Sequence, residues 1–208
     1  MAGIAETLAE IAQRLLEARP PRIVVALDGR IGAGKSRMAS AIADRTSACV
    51  IPGDDFYAFR ITDAEWEACS PVERVRDVID WRYLRTSALE PLRAGRAASW
   101  QTYGAMQLDG SFHVKPEPVC REPAPLIVLE GAYTTQPALA DLIDLTVFID
   151  TPTPLRLERI GKRDAPDFLE HWHRRWDEAE SYYFTRVRPP SSFDLVADTV
   201  AGEVKGNR

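Results

Sequence analysis

The chain has 208 residues, 45% of them hydrophobic and 27% charged, and carries a formal net charge of −5. This is the length and make-up of a single globular domain with a sizeable core, and its acidic balance speaks against a duplex-binding surface, which needs surplus Lys and Arg. No apolar run approaches the roughly 20 residues of a membrane span, Met1 to Arg19 lacks a basic start followed by an apolar block, and Cys49, Cys69 and Cys120 form no C-x-x-C pair, so the expectation is a cytoplasmic protein with neither a membrane nor a nucleic-acid partner.

Along the chain, Ile4, Leu8, Ile11, Ala12, Leu15 and Leu16 recur at helical spacing, and Pro20-Pro21 closes that helix. Ile23-Val24-Val25-Ala26-Leu27 is an unbroken apolar run that predicts a fully buried strand. Next comes Gly29-Arg30-Ile31-Gly32-Ala33-Gly34-Lys35-Ser36, which fits G-x-x-x-x-G-K-[ST], the Walker A phosphate loop. Met38 to Ala43 continues as a helix, so the loop lies between strand and helix as the motif requires. Glycines let backbone N–H groups turn inward around a polyphosphate, and the helix N-terminus adds partial positive charge. Lys35 would reach the β- and γ-phosphates, and the Ser36 hydroxyl would ligate Mg²⁺. Gly29 through Arg37 are therefore the nucleotide-binding candidates, with ATP as the nucleotide, because no Asn/Thr-Lys-x-Asp guanine motif occurs.

Val50-Ile51 ends a second short strand at Pro52-Gly53, ahead of Asp54-Asp55-Phe56-Tyr57. The stretch from about 58 to 80 is charged and irregular with short helical pieces, and Tyr83 to Ala94 predicts a helix stopped by Gly95. Ala98 to Tyr103 is extended, and Gly104 to Pro125, with one Gly and four Pro after Gly104, is mostly loop. Leu126-Ile127-Val128-Leu129 predicts a strand ending at Glu130-Gly131, then a short helix from Pro137 to Ile143 and a strand at Thr146 to Ile149. A helix from about Thr153 to Arg163, a long one from Pro166 to Arg186 and a strand at Phe193 to Ala197 complete the chain. Apolar strands alternating with helices predict an α/β fold of the P-loop NTPase type. It has three layers, a parallel sheet of about five strands with helices on both faces, and a short lid. The whole chain reads as one domain, with an acceptor-side insertion at about 58–125 and the lid at about 153–170.

Ligands of such sheets bind beyond the carboxyl ends of the strands. Asp54, Asp55 and Glu130 stand there, and carboxylates in that place order Mg²⁺ or take a proton from an attacking hydroxyl; Asp150 is a rival for the metal. Asp also favours turns and caps. Arg156, Arg159 and Arg163, at i, i+3 and i+7, share one helix face. A one-signed stripe in a net-acidic chain suits a polyphosphate. His171 and His173 point in different directions and make a poor metal pair, and Trp172 with Trp176 reads as core.

These motifs together resemble the uridine kinase-like family of phosphate-loop nucleoside kinases, which includes nicotinamide riboside kinase. The likeness spans about 22–165. It is carried by the phosphate loop, Asp54-Asp55-Phe56-Tyr57, Ile79-Asp80-Trp81, Glu90-Pro91-Leu92-Arg93-Ala94-Gly95, Tyr103, Leu129-Glu130-Gly131 and Phe148-Ile149-Asp150-Thr151, with the Arg helix ending in Arg163-Asp164. It implies an ATP-dependent kinase acting on a small-molecule acceptor. It makes Asp54 the residue that takes the acceptor's hydroxyl proton and Asp80 the one that holds ribose hydroxyls. Tyr103 then lies near the base, with Tyr57 beside the acceptor, and Arg156, Arg159 and Arg163 become lid arginines.

Where uridine-phosphorylating members continue Tyr-Asp-Phe and then a His, this chain continues Tyr103-Gly104-Ala105-Met106-Gln107-Leu108. The lid is short as well, Ala165-Pro166 following Arg163-Asp164 directly. The expected acceptor is therefore a nucleoside or another ribose-like molecule, and not of necessity uridine or cytidine. The alternatives are a kinase for a sugar, a vitamin precursor or a natural product, and a nucleotide-sensing ATPase. Homo-oligomer formation stays open.

Overall fold

The computed structural model describes residues 2–104, 112–163 and 166–207, with side chains throughout except at 166–173. After a helix, α1 (Ala2–Ala18), the apolar run forms β1 (Ile23–Asp28), every residue of which is buried. A central parallel strand is covered on both faces, and so it reads as continuous apolar sequence rather than as alternation. Ile23, Val25 and Leu27 pack with α1 and with α2 (Lys35–Thr46), whereas Val24 faces the opposite core. The remaining strands of the main sheet are β2 (Cys49–Pro52), β5 (Leu126–Glu130), β6 (Leu145–Asp150), β7 (Leu195–Asp198) and β8 (Glu203–Gly206), in the order β2-β5-β1-β6-β7-β8. All neighbours are parallel except β7 with β8. Val25 sits between Val128 and Leu145.

The fold is thus the expected α/β arrangement, with one strand more than foreseen. β8 follows a turn in which the Asp198 carboxylate accepts the N–H groups of Val200 and Ala201 at 2.9 Å each. It has one apolar residue, Val204, so it carries no strand signature; it forms by pairing with the edge of β7. A second small sheet pairs β3 (Ala98–Trp100) with β4 (Val119–Arg121), the latter inside a stretch expected as loop.

The charged segment from 58 to 80 contains α3 (Asp63–Ala68) and α4 (Pro71–Asp77), each opened by a capping box, Thr62 with Glu65 and Ser70 with Glu73. The predicted helix near 83–94 runs over 81–93, as α5 (Trp81–Leu84), a wide turn at Arg85–Leu89 and α6 (Glu90–Arg93). Pro91 has no N–H to continue the ladder, and the Glu90 N–H reaches back to the Arg85 carbonyl instead. Beyond β6 come α7 (Thr153–Arg163) and α8 (Pro166–Tyr182); α8 ends in another wide turn at Tyr183–Val187. Trp66, Trp100, Phe148, Tyr183, Phe184 and Phe193 fill the core on the α8 side of the sheet. Among the described residues no helix is long and apolar enough to cross a membrane.

Candidate active site

A cleft of about 560 Å³ opens at the carboxyl ends of β1, β2 and β5. Its phosphate end is the loop between β1 and α2. Gly34 begins α2 at φ +95°, and Gly32 has φ +76° with the Arg156 carbonyl only 2.8 Å from where a Cβ would stand. Glycine is needed there both for the backbone and for the space. Lys35 is mostly buried, and its Nζ donates to the carbonyls of Gly29 at 2.8 Å and Arg30 at 3.1 Å. Ile31, Gly32, Gly34, Lys35, Ser36 and Arg37 line the cleft; Gly29, Arg30 and Ala33 belong to the loop but lie behind its surface.

The acids divide by direction. Ser36 Oγ donates to Glu130 Oε2 at 3.0 Å, and Glu130 is 7% exposed. Burial, with Asp54 nearby, pushes the Glu130 carboxyl up to about 7 against the pull of Lys35 and the Ser36 hydrogen bond. A hydroxyl and a carboxylate side by side at the foot of a phosphate loop fit Mg²⁺, which binds through one or two protein oxygens plus phosphates and water. Asp54 is exposed and lines the cleft, whereas Asp55 accepts from Trp100 Nε1 at 2.9 Å, away from it. Asp150 ends β6 outside the cleft lining, where its carbonyl accepts the Thr199 N–H.

The three arginines of α7 also part company. Arg156, 5% exposed, donates to the Ile31 carbonyl at 3.0 Å and to Thr153 Oγ1 at 3.2 Å, bracing the loop from behind. Arg159 lines the cleft while holding the Gly32 and Ala33 carbonyls at 3.2 and 3.0 Å, and Arg163 lines it one turn further on. The end of the cleft away from the loop is aromatic. Tyr57, Tyr103 and Phe112 stand with ring centroids 5.2–6.0 Å apart, and Trp176 is 6.4 Å from Tyr57. The Tyr103 hydroxyl donates to the Asp54 carbonyl, so this ring props the segment that carries the exposed acid. Trp176 is core, packed 5.3 Å from Trp66, and a wall of the cleft as well. Asp80 lies beside the cleft-lining Ile79; its Oδ1 accepts the Tyr83 N–H at 2.8 Å and caps α5, and it does not itself line the cleft. Ala105 to Leu108, Asp164, and the side chains of Phe168, His171, Trp172 and His173 lie outside the described residues.

Three further residues shape the site. Asp28, fully buried at the end of β1, accepts from the N–H groups of Gly29, Tyr133 and Thr135 and from the hydroxyls of Thr135 and Tyr183. Burial raises its carboxyl pKa in spite of these bonds. Glu180 of α8 accepts the Ile31 N–H. Phe112 completes the aromatic wall, next to a single antiparallel bridge between Tyr103 and Val114. An acid closing an otherwise apolar strand, and an acid spaced i+4 from Trp176 and i−3 from Tyr183, on the aromatic face of the helix, are the signals that could have found the first two. Phe112 carries no such signal.

No family model matches the chain. A uridine kinase of Aliivibrio salmonicida is 31% identical over 177 residues, covering 80% of this chain and 77% of that protein. Another, from Latilactobacillus sakei, is 28% identical over 172 residues and covers 80% and 76%. Among solved structures, a possible uridine kinase from Bacillus stearothermophilus superposes with a TM-score of 0.62 at 18% identity, over 91% of this chain and 98% of that one. D-glycerate 3-kinase from Cryptococcus neoformans superposes with a TM-score of 0.61 at 12% identity, over 97% and 98%. The two structures share the fold, and the sequence match reaches further: this chain belongs to the uridine kinase family of phosphate-loop kinases.

Proposed function

We infer that this chain is an ATP-dependent small-molecule kinase that moves the γ-phosphoryl group to a hydroxyl, with a nucleoside or ribose-like molecule as acceptor. The observation that carries the reading is the exposed Asp54 carboxylate, which shares one cleft with Lys35, Ser36 and Glu130 while Asp55 is turned away to Trp100. In this mechanism Asp54 takes the acceptor's hydroxyl proton as the oxygen attacks the γ-phosphorus, and the bond to the β-phosphate oxygen breaks to release ADP. Lys35 exchanges its loop carbonyls for phosphate oxygens. Arg159 and Arg163 offset the charge that spreads over the transferring group. Ser36 and Glu130 would hold Mg²⁺, which when bound neutralises the β- and γ-phosphate oxygens. Arg156 acts from behind the loop.

The aromatic wall of Tyr57, Tyr103, Phe112 and Trp176 favours an acceptor with a flat ring, since ring faces bind by stacking. Asp80 is the candidate for a vicinal diol, which one carboxylate can hold at both hydroxyls. Gly104 supplies no side chain where uridine-phosphorylating relatives carry an acid, which favours a base other than a pyrimidine. The chain is proposed to work as one kinase domain, with 58–125 on the acceptor side and 153–170 as the lid. Its setting is the cytoplasm, where ATP and Mg²⁺ are supplied; neither nucleic acid nor a membrane enters the reaction. A screen of nucleosides and sugars for ADP release tests the reading. Turnover of ribonucleosides, lost with their 2′,3′-dideoxy forms, supports it, and turnover only of acceptors without a diol contradicts it.

A further inference from the structure

Ile31 is gripped at its N–H and at its C=O by side chains from two different helices. The N–H donates to Glu180 Oε1 on α8, and the C=O accepts from Arg156 Nη1 on α7 at 3.0 Å. Glu180 is 2% exposed, and among the described groups its Oε2 has no hydrogen-bond partner. That oxygen faces Arg30 Nη1 at 3.7 Å and Arg156 Nη1 at 3.9 Å. An apolar side chain of similar volume would fill the space but strand the buried Arg156 charge. It would not accept the Ile31 N–H either.

Three residues further on, the Tyr183 hydroxyl donates to Asp28 Oδ2 at 2.9 Å, and Asp28 Oδ1 in turn accepts the Gly29 N–H at 2.7 Å. The end of α8 therefore holds the first part of the loop, at Gly29 and at Ile31. The second part, Gly32 and Ala33, is held by Arg159 of α7. The loop is braced from outside by both helices. One turn before Glu180, Trp176 forms the wall of the acceptor end, so α8 touches both halves of the cleft.

We propose that Glu180 is a positioning residue for nucleotide binding. It fixes Ile31 so that the N–H groups of the following residues face the polyphosphate on arrival. A loop ordered in advance spares the ligand the cost of ordering it, so the effect falls on nucleotide affinity and not on the chemical step. The kinetic part of the test rests on the kinase reading; the binding part does not.

The test uses the full chain, Mg²⁺ with ADP as the probe, and two conservative variants measured by calorimetry. Glu180→Asp keeps the charge but is one methylene too short to reach the Ile31 N–H. Glu180→Gln keeps the reach and an acceptor oxygen but loses the charge. Loss of a hydrogen bond to a charged acceptor predicts that Glu180→Asp binds ADP about ten-fold more weakly. Glu180→Gln is expected to stay within about three-fold of wild type. In turnover, Glu180→Asp raises the KM for ATP by the same factor while kcat and the acceptor KM hold. The reverse ranking of the two variants would assign the effect to charge and overturn the proposal. Equal loss of thermal stability in both, with ADP affinity unchanged, would overturn it in favour of a purely structural role. A wild-type chain that bound no ADP would overturn both this proposal and the kinase reading.

Discussion

Replacing Glu130 by Gln removes the acid whose titration the cleft disturbs most openly. Its carboxyl rises from an ordinary value near 4.5 to about 7, because burial disfavours the charge and Asp54 and Asp55 repel it, while Lys35 and the Ser36 hydroxyl favour it. Across that interval the folded chain binds a proton that the unfolded chain has released. Stability contributed by this group is therefore greatest at the acid end and falls as pH rises from about 4.5 to about 7. A shift of this size corresponds to about 3 kcal/mol, or roughly 6–12 °C in Tm for a chain of this length. Asp28, Asp55 and Glu180 are also raised and give slopes of the same sign, so the quantity to read is the difference between wild type and Glu130→Gln. Thermal unfolding of both in chelator from pH 4.5 to 8 supplies it. The variant keeps an acceptor for Ser36 and is expected to be the more stable of the two above pH 7, with the curves meeting near pH 4.5. Identical pH profiles for the two proteins would refute the reasoning. Added Mg²⁺ and ADP compete with the proton for the same oxygens and are expected to raise the wild-type Tm more at pH 8 than at pH 5.

Lys35→Ala is expected to lower turnover by at least about 10²-fold with the fold intact, since its Nζ donates to loop carbonyls at the edge of the cleft and not into the core; ADP release and circular dichroism check the two halves. Asp54→Asn should lower kcat by about 10²–10⁴ with a modest change in ATP affinity. Asp55→Asn should act mainly on stability through the Trp100 bond, and steady-state kinetics with thermal unfolding will rank them. The double change Arg159→Ala with Arg163→Ala should depress turnover by at least about 10²-fold. Arg156→Ala, which strips the part-buried Ile31 carbonyl of a donor and the buried Glu180 of a counter-charge, should cost stability on the order of 2 kcal/mol, measured by denaturant unfolding.

The phosphate loop and the central strands were legible because their constraints are local. Gly32 and Gly34 are dictated by backbone angle, Gly32 also by close approach, and strands covered on both faces must be apolar throughout. What escaped depends on partners far along the chain. The residue types in Asp54-Asp55 do not tell which acid enters the cleft, and the family resemblance alone points to Asp54; Trp100, arriving on β3, claims the second. Arg156, Arg159 and Arg163 form one stripe, yet the loop lies against its first turn, so Arg156 is buried behind the loop while the other two line the cleft. Glu180 meets Ile31 from 149 residues away, a pairing that no spacing rule reaches. β8 has too little apolar sequence to announce itself and forms because the edge of β7 can pair.

In the proposed mechanism the phosphoryl group leaves ATP for a hydroxyl on a small molecule, with Asp54 taking the proton. Parallel measurement of ADP, free phosphate and phosphorylated acceptor in one reaction tests it most directly, run with wild type and Asp54→Asn over the nucleoside and sugar screen. ADP and phosphorylated acceptor are expected in equal amounts with little free phosphate, and both products are expected to be lost in the variant. ADP matched by free phosphate whatever acceptor is present, at the same rate in Asp54→Asn, would contradict the mechanism.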